Sequence, residues 1–418
     1  MSRLVDAVLP ARMGTSFRWL VGSTWISNLG DGIGLAAGPL LIASQTQDPF
    51  LVALGGLLQR LPWLLFGLYA GALADRLDRR VVVVAVNSMR AAVLAVLTVT
   101  VVTGRVNITV VLVTMFLLGT AEAFADTTLH TLLPMVVDRA DLGIGNARLM
   151  AAHITMNQLI GPAAGAALFA AGRAWPFLTQ ALCVALGAIL IARMRLPSVP
   201  RAAERRHVWR DIVEGFRWTW ASAPVRTLTL TIVTFNVTWG AAWSVLVLYA
   251  THQLDVGPVG FGLLTTVGAA GGIAGTASYD WLERHVSLAN IMRVGLLIET
   301  FTHLGLAVTT TAWVAMVIMF VFGAHAFVWG TTSRTVRMRT VRMRAVPIEL
   351  QGRVGSLNMI GVFGGIVAGQ ALGGVVARVW GVTGPFWFAF AGSAVILALI
   401  WRELSHIAHA DEEARASG

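Results

Sequence analysis

The sequence predicts an all-α membrane protein of twelve transmembrane helices in two pseudo-symmetric six-helix bundles, and three observations carry that expectation. Mean hydropathy is +0.73 over 418 residues, 56% of them hydrophobic and 12% charged, a balance that lipid rather than water must solvate. Apolar runs of about 20 residues, the helical length that crosses a bilayer core of about 30 Å, recur along the whole chain. The runs are continuous rather than alternating with period two. Each can satisfy its own backbone hydrogen bonds as a helix, which excludes an outer-membrane barrel.

In order, the expected helices span 17–44, 51–74, 81–103, 108–130, 148–170 and 174–194, then 226–250, 258–282, 289–309, 312–334, 354–378 and 382–402. The longest polar stretch, 195–223, holds Arg195, Arg201, Arg205, Arg206, Arg210 and Arg217. It reads as a cytoplasmic linker between an N-terminal bundle (1–194) and a C-terminal bundle with a short cytoplasmic tail (224–418). Within it Trp209, Ile212, Val213, Phe216 and Trp220 recur at helical spacing opposite Arg210, Glu214 and Arg217, the pattern of a helix lying in the membrane interface. A shift of 209 residues superimposes Gly165 on Gly374, Gly172 on Gly381, Pro176 on Pro385, Phe177 on Phe386 and Arg193 on Arg402, an internal repeat that suits a six-plus-six transporter. Thr335 to Arg339 (TVRMR) is duplicated at once as Thr340 to Arg344, and we place both copies in the cytoplasmic loop after helix ten.

The formal net charge of +10 would suggest nucleic acid for a soluble protein, but here its placement decides. All 31 basic residues are arginine; Arg105, Arg173 and Arg378 fall on the outer side, Arg60 and Arg90 within helices, and the remainder on cytoplasmic segments. The asymmetry predicts both termini inside, and no nucleic-acid partner. Cys183 is the one cysteine, so disulfides and cysteine metal sites are not expected. Gly30-Asp-Gly32-Ile-Gly34 imitates a phosphate loop but lies inside an apolar helix with no strand before it, and no Walker pattern occurs; neither an enzyme nor an ATP-driven pump is expected.

The second helix ends in Gly71-Ala-Leu-Ala-Asp75-Arg76-Leu-Asp78-Arg79-Arg80, which resembles the loop signature of the major facilitator superfamily between helices two and three. Gly71 would let helices approach, Asp75 would face the positive end of a neighbouring helix, and Arg76, Arg79 and Arg80 would anchor the cytoplasmic side. In helix five Gly161-Pro162-Ala-Ala-Gly165 resembles the glycine-proline motif of antiporter branches of that superfamily, and Gly361, Gly365, Gly369 and Gly373 make a similar packing ladder in helix eleven. Ser27 to Asp31, Asn146-Ala, Asp211 to Gly215 and Val346 to Val354 extend the resemblance, which is to macrolide-efflux and enterobactin-exporter-like members. It implies a drug:proton antiporter of the bacterial cytoplasmic membrane that exports multiple amphipathic small molecules by alternating access, acting as a monomer without a cofactor.

Four acids fall inside helices, Asp31, Glu122, Asp126 and Glu299, each costing about 2.5–3.5 kcal/mol near the midplane on insertion scales. They need partners or a purpose. In the superfamily fold helices one, four, seven and ten line a central cavity, which implies that Asp31, Glu122 and Asp126 are the proton-coupling sites. Asp31 sits roughly 21 Å along helix one, close to the midplane. Glu122 and Asp126, one turn apart, would share a face and disfavour each other's ionisation. The competing reading for Glu122 is a salt bridge to Arg90 of helix three, where Asn87 stands at a place that relatives often give to an acid. Glu299 and His303, also one turn apart in helix nine, are expected to bond each other, and stand second to the cavity acids. Asn236, Trp239 and Trp243 of helix seven and His325 of helix ten are the expected cargo surface, the two indoles offering a flat wall that also attracts a cation. His153 in helix five is expected to be a packing residue, and Arg60 has no assigned role. The alternatives are an importer or lysolipid flippase of the same fold, or a sensor that transports nothing.

Overall fold

The computed structural model describes residues 11–74, 76–196, 208–221, 223–340 and 351–401. The membrane helices are α1 (Gly14–Gln45), α2 (Pro49–Ala74), α3 (Arg79–Val102), α4 (Ile108–Leu129), α5 (Leu142–Ala152, π-helical His153–Ile160 and Gly161–Ala171) and α6 (Trp175–Ala192). They continue as α7 (Ala223–Trp243, then Leu246–Leu248 and π-helical Tyr249–Gln253), α8 (Pro258–His285), α9 (Leu288–Val308), α10 (Ala312–Thr340), α11 (Gln351–Trp380) and α12 (Gly384–Ile400). By length and apolarity ten of the described helices can cross a bilayer unaided; the two parts of α7, bent by 41°, make an eleventh, and α12 is a shorter apolar helix. Each of the twelve expected spans thus coincides with an apolar helix, and the all-α membrane fold is the one observed.

Local chemistry sets the ends. Asp78 accepts from the backbone N–H groups of Arg80 and Val81 at the start of α3, Asn107 from Val110 at the start of α4, and Ser287 from Asn290 at the start of α9. Pro176 and Pro385 occupy the first turns of α6 and α12, where a missing N–H costs nothing. Phe177 and Phe386, which the internal repeat superimposes, are both fully buried. Gly104 and Gly381 take positive φ in the turns after α3 and α11.

Two compact units divide the chain. One comprises 1–47, 58–206 and 258–266, the other 48–57, 207–257 and 267–418, so α2 and α8 each pass from one unit to the other. In the first, α1 packs on α5 and α6, and α3 on α4 and α6. In the second, α7 packs on α11 and α12, and α9 on α10 and α12. The glycine ladder of α11 forms the α7 crossing: a Cβ on Gly365 would meet the Val233 carbonyl at 2.6 Å, and Gly369 and Gly373 abut Val237 and Ala241 in the same way.

Several boundaries differ from expectation. α5 begins at Leu142, ahead of the expected start at 148, because Arg139–Asp141 already forms a 3-10 turn that leads into it. α10 runs on to Thr340, so the first TVRMR copy is helical rather than part of a loop; of the second copy only Thr340 is described, and 341–344 lie outside the described residues. α7 is broken after Trp243, a break with no proline to announce it. The linker carries the helix Val208–Ala221, on which Phe216 and Trp220 are exposed and stacked at 5.6 Å, and Arg226 reaches back to the Trp220 carbonyl. The side chains of Trp209, Arg210 and Ile212 lie outside the described residues.

Candidate functional site

In the first unit the site starts from a tight helix crossing. Either side of Asp31, Gly30 and Gly32 leave α1 without side chains where it meets its neighbours. A Cβ on Gly30 would come within 2.9 Å of Cys183 Cβ in α6, and one on Gly32 within 2.5 Å of the Asn157 carbonyl in α5. Gly161 and Gly165 of the glycine-proline motif press from the other side on Gly32 and Ile33. The π-helical turns of α5 end here because Pro162 has no N–H and its ring crowds the preceding turn; Gly161 N–H instead reaches back five residues to Met156. His153, which opens the π segment, places Nδ1 3.1 Å from Asn28 Oδ1 of α1 and Nε2 3.1 Å from Gln158 Nε2.

Held on these two sides, α1 turns Asp31 toward α3. Arg90 Nη2 donates to Asp31 Oδ1, and Arg90 Nη1 donates to Asn87 Oδ1 at 3.3 Å. The side chains are 4% and 17% exposed, so this is a buried ion pair. Asn87, standing where an acid was looked for, accepts from the arginine as a neutral partner. The competing expectation paired Arg90 with Glu122; its direct partner is Asp31, because the α1 crossing fixes a register that no single-helix pattern carries.

Glu122 and Asp126 follow on α4. Glu122 accepts from the Gln59 side chain of α2 and lies within electrostatic reach of Arg60, Asp31 and Arg90. Asp126 lies within reach of Glu122, Asp31, Arg90 and Arg60. One turn before Glu122, Gly119 brings the two helices together, since a Cβ there would overlap the Gln59 carbonyl. Arg60, without a role in the sequence reading, therefore belongs to this cluster. Fully ionised, three carboxylates and two guanidiniums leave one excess negative charge, which one proton or one cationic group would neutralise.

The second unit gathers a different set. Trp239 and Trp243 stack at 5.6 Å with 23° between planes, the shared face expected of residues one turn apart. Trp243 also packs on Phe322 at 4.8 Å and meets His303 edge-on at 6.1 Å. Asn236 turns its amide back to the Ile232 carbonyl of its own helix at 2.7 Å. Glu299 does not pair with His303 as expected; its nearest cation-forming group is His325 Nε2, 3.6 Å away on α10. His325, expected on a cargo surface, is buried against α9 instead.

At the end of α2, Gly71 does not enforce a close approach: a Cβ there would sit 3.8 Å from Thr127 Cγ2, an ordinary contact, so an alanine would fit. Asp75 lies outside the described residues. Arg76 is exposed, Arg79 Nη1 lies 3.3 Å from Met135 Sδ, and Arg80 Nη1 donates to the Met194 carbonyl at 2.9 Å, tying the start of α3 to the end of α6.

Comparison with known proteins bears on the family and the fold. A family model described as "Transmembrane secretion effector" matches residues 7–417. The chain is 23% identical over 379 residues to the Staphyloferrin A transporter of Staphylococcus aureus (strain NCTC 8325 / PS 47), covering 88% of this chain and 91% of that one. It is similar in structure to a bacterial homologue of the iron transporter ferroportin in an inward-facing state, with TM-score 0.74 and 15% identity, covering 93% of this chain and 98% of that one. It is also similar to a mutant of the nucleoside transporter NupG, with TM-score 0.75 and 12% identity over 93% and 99% of the two chains. At such identities the solved structures speak for the fold alone.

Proposed function

This chain belongs to the transmembrane secretion effector family of the major facilitator superfamily, and on that premise we propose that it exports amphipathic small molecules in exchange for protons by alternating access. The observation that carries the reading is the intramembrane cluster of Asp31, Glu122, Asp126 and Arg60, each partly exposed, around the buried Arg90. Intramembrane ionisable groups are costly to keep and are retained chiefly where charge must move. In the proposed cycle a proton on Asp31 releases Arg90 to the α4 acids. A cationic or polarised cargo reaching Glu122 or Asp126 competes for the same excess negative charge, so cargo and proton exclude each other. Trp239 and Trp243 supply a flat apolar face for the cargo. The glycine-proline motif of α5 seats α1 beside Asp31, which supports placing the antiport chemistry there.

In this reading the protein works as a monomer in the bacterial cytoplasmic membrane with both termini inside. The loop motif from Gly71 to Arg80 governs the switch between states. A second reading, favoured by the Staphyloferrin A relative, makes the cargo a siderophore, with Arg60 and Arg90 attracting its anionic groups. Transport into inside-out vesicles carrying the protein separates the two. Uptake of a lipophilic cation such as ethidium, lost in Asp31→Asn, supports multidrug export; uptake of staphyloferrin A without any cation uptake supports the second. Uptake of neither, with the protein folded and the gradient intact, contradicts export.

A further inference from the structure

We propose that Glu299, His325 and His303 form a second proton-binding site, lying in the C-terminal unit and separate from the acids of α1 and α4. Gly295, Glu299 and His303 follow one another at four-residue spacing and share one face of α9. His325 and Trp329 of α10 stand against that face. Gly295 is what lets them close: a Cβ there would come within 2.9 Å of both His325 Nδ1 and Trp329 Cδ1. His325 Nε2 lies 3.6 Å from Glu299 Oε2, with the side chains 3% and 12% exposed. His303 is completely buried. Neither ring nitrogen of His303, neither of His325, nor Trp329 Nε1 has a hydrogen-bond partner. Interiors satisfy nearly all buried polar atoms, so unpaired nitrogens around one carboxyl group mark a place built for an exchangeable ligand.

Among the described residues no other charge is shown paired with that carboxyl group. α12, which also packs on α9, has no titratable residue between Gly384 and Ile400. α8 meets α10 through Gly271 and Gly275, and its Tyr279, Asp280, Glu283, Arg284 and His285 are confined to its last two turns. α7 contributes the uncharged Trp243. On α9 itself Arg293 lies over the Trp401 ring, 5.4 Å from its centre. Among the described residues no three His, Cys, Asp or Glu side chains are placed to hold a metal ion, and a carboxyl group beside an imidazole is a pair that can hold a proton.

With no proton to share, the site would hold an unpaired buried carboxylate; with both imidazoles charged, a net buried cation. One proton divided between Glu299 and an imidazole is the neutral state that burial favours. Trp243, edge-on to His303, is the last residue before the 41° bend of α7, so filling or emptying the site acts where that helix changes direction.

The test needs no cargo, so its failure and the failure of the export reading are distinguishable. Purified full-length protein in lipid nanodiscs is carried between alkaline and acid pH while proton uptake is counted with a soluble indicator and infrared difference spectra are recorded. The Glu299→Gln/His325→Asn variant should take up about one proton fewer per chain, in the Asp31→Asn background as in wild type. Equal uptake with unchanged carboxyl and imidazole bands overturns the proposal. Should that variant fail to fold, Glu299→Gln alone is read by the same bands, and their persistence is equally fatal.

Discussion

Replacing Arg90 by methionine removes the cation facing Asp31 while keeping a long apolar side chain in its place. Arg90 is 4% exposed and Asp31 17%, so the carboxylate left behind cannot recover its solvation from bulk water. Removing one partner of a buried pair costs about 3–5 kcal/mol. An unpaired acid near the bilayer centre costs about 2.5–3.5 kcal/mol on insertion scales. The two figures overlap near 3 kcal/mol, and Asp31's residual exposure favours that lower end. Changing Asp31 to asparagine in the same background removes the stranded charge and should restore roughly 2 kcal/mol, a coupling that a double-mutant cycle isolates. Equilibrium unfolding of the four proteins in mixed micelles with graded dodecyl sulfate, followed by circular dichroism, supplies the cycle. Single-mutant costs that simply add, or an Arg90→Met cost below about 1 kcal/mol, would refute the argument that this pair is a buried electrostatic unit.

The α1 crossing makes a contrast within one helix. Gly32→Ala places a methyl against the Asn157 carbonyl and should cost about 1–3 kcal/mol. Gly38→Ala meets only Met115 Sδ at 3.5 Å and should be neutral or stabilising by up to about 1 kcal/mol; thermal melts of the two variants compare them directly. Asn107→Ala removes the cap that accepts from Val110 at 3.0 Å and should cost about 1 kcal/mol, read as earlier unfolding, with Asn107→Asp retaining most of the stability. Trp243→Ala should lower stability by about 0.5–1.5 kcal/mol beyond its lost area by breaking contacts with Trp239 and Phe322, whereas Trp243→Phe should keep most of it; cargo-induced tryptophan quenching in the wild type that Trp243→Phe abolishes would support the indole face as a binding surface.

What the sequence made legible follows from what hydropathy encodes. The apolar run 108–130 became Ile108–Leu129 and 174–194 became Trp175–Ala192, because the cost of burying polar backbone in lipid forces each run into a helix whatever surrounds it. One contact within a helix was legible too, since Trp239 and Trp243, one turn apart, stack, but Glu299 and His303, at the same spacing, do not bond each other. Contacts between helices were not legible. Asp31 with Arg90, Glu299 with His325 and Arg60 beside Glu122 each depend on rotation and register between helices, which are set by where Gly32 and Gly119 let backbones close and Gly295 leaves room for the His325 and Trp329 side chains. The glycines were visible, but the side that each opens was not. The bend after Trp243 also left no mark in composition. The π segment at His153–Ile160 had one in Pro162, which entered the sequence analysis as part of an antiporter-like motif rather than as a break in the hydrogen-bond ladder.

The claim that the α1 and α4 acids couple cargo to protons is tested most directly by proton movement in proteoliposomes under an imposed pH gradient. Lipophilic cations, macrolides, tetracyclines, lysolipids and siderophores would be added in turn to wild type and to Asp31→Asn. Cargo-evoked proton flux in the wild type that disappears in the folded variant is the result expected. Equal flux in both would remove Asp31 from the mechanism, and cargo movement without any proton flux would contradict antiport itself.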